Sequence, residues 1–88
     1  MVSREITIIN KLGLHARPAA QLVKTASKFA AEISLRKDDL EVNCKSIMGV
    51  MMLAAEMGAR VTVIADGKDE EQALKAIVKV FESKFGEE

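Results

Sequence analysis

The side chains best equipped for chemistry stand together near the start of the chain. His15 is the only histidine and Pro18 the only proline, and Arg17 lies between them in "NKLGLHARPAA", residues 10–20. Helix-type spacing of apolar residues over 16–29 places His15 at the mouth of a helix, at or beside its N-cap. There the first N–H groups lack intrahelical partners and point outward. Together with the helix dipole they favour an anion. Ala16 and Arg17 would supply these phosphate-binding amides, and the Arg17 guanidinium adds a fork suited to phosphate oxygens. Pro18 pins the first turn, where a missing N–H costs little. Gly13 permits a close approach of the loop. An imidazole can carry a covalent phosphoryl group, and these donors would stabilise its oxygens as it arrives and leaves. The sequence has no GxxxxGKS/T loop for ATP, so the phosphoryl group would come from, and go to, other proteins. A lone histidine at a helix start is most often a cap or a surface residue, so the local pattern does not decide the matter by itself.

Seven elements would position this site. "REITII" (4–9) alternates as a strand. Residues 16–29 carry Ala19, Leu22, Val23, Ala26 and Phe29 on one helical face. "AEISLRK" (31–37) and "LEVNC" (40–44) alternate again, with Leu40, Val42 and Cys44 on one side, and Asp38-Asp39 marks the turn of a hairpin. In "KSIMGVMMLAAEMG" (45–58), Ser46 reads as an N-cap and Gly58 as the C′ stop of a short helix that is apolar nearly all round. "RVTVIA" (60–65) is a fourth strand. A final helix follows, opened by an Asp69–Gln72 capping box and striped by Leu74, Ile77, Val78, Phe81 and Phe85. The order β-α-β-β-α-β-α predicts a two-layer α+β sandwich, with helices on one face of a mainly antiparallel sheet.

Bulk properties narrow the function classes. The chain has 88 residues, which suits one domain over 1–88. Thirteen basic residues balance thirteen acidic ones, so no nucleic-acid field or polybasic membrane anchor is expected. There is no Trp or Tyr, which leaves too few aromatics for a base-stacking platform. A single cysteine, Cys44, allows neither an internal disulfide nor a cysteine zinc site. No apolar run reaches the length of a membrane span, and the start shows no signal-peptide core. The expectation is a reduced, cytoplasmic protein with no metal or cofactor, no nucleic-acid partner and no direct membrane insertion. Cys44 reads as core.

The strings "GLHARPA" (13–19) and "KSIMGVMML" (45–53) together resemble the HPr family, the histidine-containing phosphocarriers of the bacterial sugar phosphotransferase system, over nearly the whole chain. The resemblance implies an open-faced β-sandwich of four antiparallel strands with three helices on one face. It implies that His15 accepts a phosphoryl group on Nδ1 from Enzyme I, itself charged by phosphoenolpyruvate, and passes it to enzyme IIA domains with Arg17 assisting. Such a protein is a carrier and a substrate of other enzymes more than an independent catalyst. Ser46 matches the serine that an ATP-dependent kinase/phosphorylase modifies in many bacteria, and a phosphoserine is electrostatically favoured at a helix N-cap. The resemblance also turns Ile47, Met48 and Met51 outward as adaptable docking residues. Leu14 and Ala20 would extend that patch, and Lys24, Lys45 and Lys28 would ring it. "NKLGLHARPA" is also similar to the nitrogen-related branch, which regulates rather than transports, whereas "KSIMGVM" is closer to the sugar branch. Both branches stay open, as does a regulator controlled through Ser46 by protein binding. A small-molecule-binding regulatory domain would not need His15 beside Arg17 and Pro18.

Overall fold

Strand and helix separate cleanly by period along this chain. β1 (Val2–Thr7), β2 (Glu32–Lys37), β3 (Leu40–Asn43) and β4 (Arg60–Asp66) alternate, α1 (Ala16–Ala26) and α3 (Glu70–Glu82) carry apolar residues at helical spacing, and the short α2 (Ile47–Met52) is apolar nearly all round but buries only Val50. These elements are those of a computed structural model that describes residues 1–86. A 3₁₀ turn, Lys84–Gly86, follows α3. The four strands form one antiparallel sheet in the order β1-β4-β2-β3. β4 lies in the interior of the sheet, and its Val61, Val63 and Ala65 are fully buried beneath the helices. The helices cover one face, and α3 packs on β1, β2 and β4 while α1 packs against α2 and α3. This is the two-layer α+β sandwich that the element order predicts, in the open-faced form that the family resemblance implies.

Register follows from which residues must be buried. Ile6 pairs with Val61, and Leu35 with Val63, so apolar side chains stack across strands on the helix side. The opposite face carries Glu5 across from Thr62 and Ser34 across from Ile64. The β2–β3 hairpin closes through Asp38-Asp39, where Asp38 takes a positive φ of 55°, a conformation that aspartate tolerates better than most residues.

Several boundaries differ from the sequence reading. Leu40 is 41% exposed because it opens the short edge strand β3, beyond the cover of the helices. The third helix ends at Glu82, and Phe85 reaches the core from the 3₁₀ turn instead of the helix. α2 stops at Met52, well before Gly58; the positive φ that ends it belongs to Ala54 (φ 49°). Gly58 serves elsewhere, donating its N–H to the Ile8 carbonyl at 2.8 Å. The Asp69–Gln72 capping box does not form. Asp69 occupies the N-cap of α3 without capping it. Its carboxylate instead accepts from the N–H groups of Ala30 (2.9 Å) and Ala31 (2.8 Å). Glu70 reaches back in its place, accepting from the Gly67 N–H at 3.0 Å.

Candidate functional site

The loop before α1 is held from several directions. Its Gly13 N–H donates to the Asn10 carbonyl at 3.2 Å, and the buried Asn10 side chain donates to the Gly13 carbonyl at 2.9 Å. The Leu14 N–H donates to the Ala55 carbonyl at 2.8 Å, which ties the loop to the chain just past α2. Gly13 sits at φ 67°, and a Cβ there would lie 2.3 Å from the Ala55 carbonyl oxygen. Only glycine satisfies both the left-handed backbone and that approach.

This loop delivers His15 to the N-cap of α1. Its backbone is extended (φ −89°, ψ −171°), and its carbonyl accepts from the Ala19 N–H at 3.0 Å. The imidazole is not used as the cap acceptor, and the residue is half-buried at the rim of the fold. Ala16 and Arg17 are the first two residues of α1, both exposed, so their N–H groups precede the i→i−4 ladder. Pro18 follows, buried, and has no N–H to orphan. The first turn contains no acidic residue, so no carboxylate of the helix competes with an incoming anion. The geometry thus joins an imidazole, two leading amides and an exposed guanidinium at one helix end.

α2 runs antiparallel to α1 beside this site. The Lys45 ammonium at its start donates to the Phe29 carbonyl beyond the end of α1 (2.8 Å), while Ala55 beyond its end meets Leu14. His15 is therefore near the C-terminal end of α2, and Ser46 lies at the other end. Ser46 caps α2, its Oγ accepting from the Gly49 N–H at 3.0 Å. Val50 and Leu53 point into the core, and Ile47, Met48, Met51 and Met52 form an exposed arc. Ala20 and Lys24 are exposed on α1, as is Lys28 just beyond it.

Two sequence expectations are corrected. Leu14 is only 5% exposed and belongs to the core cluster; the backbone bond to Ala55 pulls it inward, so it adds no side chain to a docking patch. Lys45 is half-buried, with its ammonium committed to the Phe29 carbonyl, so it is not a loose rim charge. The sequence reading missed Asn10, for which the only local signal is an Asn three residues before a loop glycine. It also left Met52, Met57 and Leu12 out of the exposed apolar set. Cys44 is fully buried, and desolvation pushes its thiol up to about 12. Among the described residues, no group of three or more His, Cys, Asp or Glu could hold a metal ion, and no helix is long and apolar enough to cross a membrane.

Known proteins share this arrangement along the full chain. The family model described as "PTS HPr component phosphorylation site" matches residues 2–83. The phosphocarrier protein HPr of Xylella fastidiosa strain Temecula1 is 50% identical over 88 residues, covering 100% of this chain and 99% of that protein. The crystal structure of HPr-C-His from Thermoanaerobacter tengcongensis superposes with a TM-score of 0.96 at 56% identity, covering 100% of this chain and 99% of that one. The HPr-like protein Crh of Halalkalibacterium halodurans is 44% identical over 82 residues, covering 93% of this chain and 98% of its own. With a half-buried histidine at the mouth of α1 and a family match that spans the sheet and the helices, the chain belongs to the HPr family of phosphocarriers of the phosphotransferase system.

Proposed function

We propose that His15 is the phosphoryl acceptor, taking the group from phosphorylated Enzyme I and passing it to enzyme IIA domains for sugar uptake. The observation that carries this reading is the placement of His15 at the N-cap of α1, beside Arg17 and above a loop locked by Gly13. Nδ1 attacks phosphorus as the bond to the donor breaks, and the same exchange runs in the other direction at the acceptor domain. The Ala16 and Arg17 amides and the Arg17 guanidinium stabilise the phosphoryl oxygens in both steps. Partners dock on the apolar arc of Ile47, Met48 and Met51 with Ala20, and Lys24 steers an acidic partner face. The protein acts in the cytoplasm, where its donor and acceptors meet it.

A second role rests on Ser46. Its hydroxyl caps the helix that carries the docking arc. A phosphate there would set charge beside that arc at the end of α2 away from His15, so it would act on docking and not on the imidazole. The similarity to the HPr-like protein Crh favours a regulatory role beside the carrier role.

One experiment tests both. The protein is incubated with phosphoenolpyruvate and Enzyme I, and its intact mass is read. Gain of one acid-labile phosphate, absent in His15→Ala, is expected; no gain beside an active control overturns the carrier role. A second arm adds ATP and the serine kinase. An acid-stable phosphate on Ser46 with lower uptake at His15 is expected there, and unchanged uptake after full modification overturns the regulatory role.

A further inference from the structure

Methionine normally fills gaps in cores, but all five methionines of this chain are exposed. Met48, Met51 and Met52 lie on α2, and Met57 in the segment after it, with exposures of 73, 41, 65 and 56%. Val50 of that helix and Leu53 at its C-cap are the buried positions, and none of the three methionines on α2 belongs to the hydrophobic core. The one remaining sulfur is treated in the opposite way. Cys44 has no exposed surface, and its raised thiol holds almost no thiolate at neutral pH, which is the form that oxidants attack. The molecule hides its thiol and exposes three of its five methionines on the helix proposed above for docking.

We propose that Met48, Met51 and Met52 form an oxidisable patch, at which a hydroperoxide makes sulfoxides that reversibly weaken docking of the phosphotransferase partners on α2. This rests on the docking role proposed for α2. In each step the thioether sulfur attacks the distal peroxide oxygen. The O–O bond breaks, an S–O bond forms, and water or an alcohol leaves; sulfur is oxidised by two electrons and the peroxide is reduced by two. A dithiol reductant reverses the change, losing two hydrogens to become a disulfide as the oxygen departs in water. A sulfoxide is a strong acceptor, and covering it with an apolar partner surface leaves it without a donor. The fold is spared because the oxidised side chains lie outside the hydrophobic core, and His15 is not involved.

The test treats the protein with hydrogen peroxide, locates added oxygen by peptide mass mapping, and then measures phosphoryl uptake from phosphorylated Enzyme I over a range of carrier concentrations. The expected result is oxygen on Met48, Met51 and Met52 with Cys44 still a thiol, an unchanged thermal midpoint, and a KM raised roughly tenfold at constant kcat. Methionine sulfoxide reductases with a dithiol should restore the original KM. The M48L/M51L/M52L variant, whatever its own KM, should show the same value before and after peroxide. An unchanged KM in the oxidised protein, a KM rise that survives in the triple variant, or a collapse of the thermal midpoint each overturns the proposal. Unoxidised protein that takes no phosphoryl group overturns the carrier reading, and the patch with it, before any peroxide is added.

Discussion

The geometry at His15 depends on an atom that Gly13 lacks. A Cβ at Gly13 would stand 2.3 Å from the Ala55 oxygen and 2.8 Å from the Glu56 Cα. Both are backbone atoms, so neither can swing aside as a flexible side chain would. Gly58 offers the comparison, because its φ is also positive (92°) but nothing lies within 4 Å of a Cβ built there. Gly58→Ala should therefore cost only the left-handed backbone term, about 1 kcal/mol. Gly13→Ala adds a clash and should cost roughly 3 kcal/mol. It should also lower phosphoryl uptake in the fraction that stays folded, since His15 is two residues on. Urea unfolding with an uptake assay checks this; equal costs at the two glycines would refute the close-approach argument. His15, Arg17 and Gly13 were legible in the sequence because a helix start is written in adjacent residues. Leu14 and Lys45 were not. Partners far along the chain, the carbonyls of Ala55 and Phe29, decide whether those side chains point in or out.

At the scale of elements, Asp69 shows how a local pattern can be outbid by a tertiary one. The sequence offers it as the first residue of a capping box, yet its carboxylate joins the start of α3 to the two residues before β2. The Ala30 N–H, ahead of the Ala31 N–H and the Lys45 charge among the favourable causes, holds its pKa below the ordinary value of 3.8. A carboxyl group with a depressed folded pKa contributes stability that is fully present above the unfolded value and is lost as pH falls through the folded one. Asp69→Ala should thus melt at a lower temperature than the parent at about pH 7, and the two should converge toward about pH 2. Thermal scans across that range check it, and a gap that persists undiminished in acid would show that the carboxylate charge is not the cause. The ends of α2 divide in the same way. Ser46 as its cap was readable, because serine ahead of an apolar run is a local signal. Its C-terminus was not, because Ala54 adopts the conformation that sequence reasoning reserves for glycine. The chain must turn there to bring Ala55 beneath Leu14.

Across the whole molecule, the site on α1 is held partly by residues from the far end of the chain. Phe85 is buried, and its ring meets Phe81 edge-on with centroids 5.2 Å apart and planes at 69°. Its carbonyl accepts from the Gln21 side chain of α1 at 3.0 Å. The 3₁₀ turn therefore ties α1 to α3, and the order of elements alone could not reveal this because Phe85 also fits the stripe of a longer helix. A domain of this size has roughly 4–13 kcal/mol of net stability. Truncating a buried Phe removes about 3–5 kcal/mol, a large share of that margin. At about 4–8 °C per kcal/mol for small domains, Phe85→Ala should lower the thermal midpoint by at least ~12 °C. The transition should stay single, with backbone and phosphoryl-uptake signals lost together, because α1 and α3 share one core. Phe85→Leu keeps most of the apolar volume and should recover most of the loss. A Phe85→Ala protein that melts within about 4 °C of the parent, a cost near 1 kcal/mol, would place the turn outside the cooperative unit and leave α1 to be held by α2 and the sheet alone.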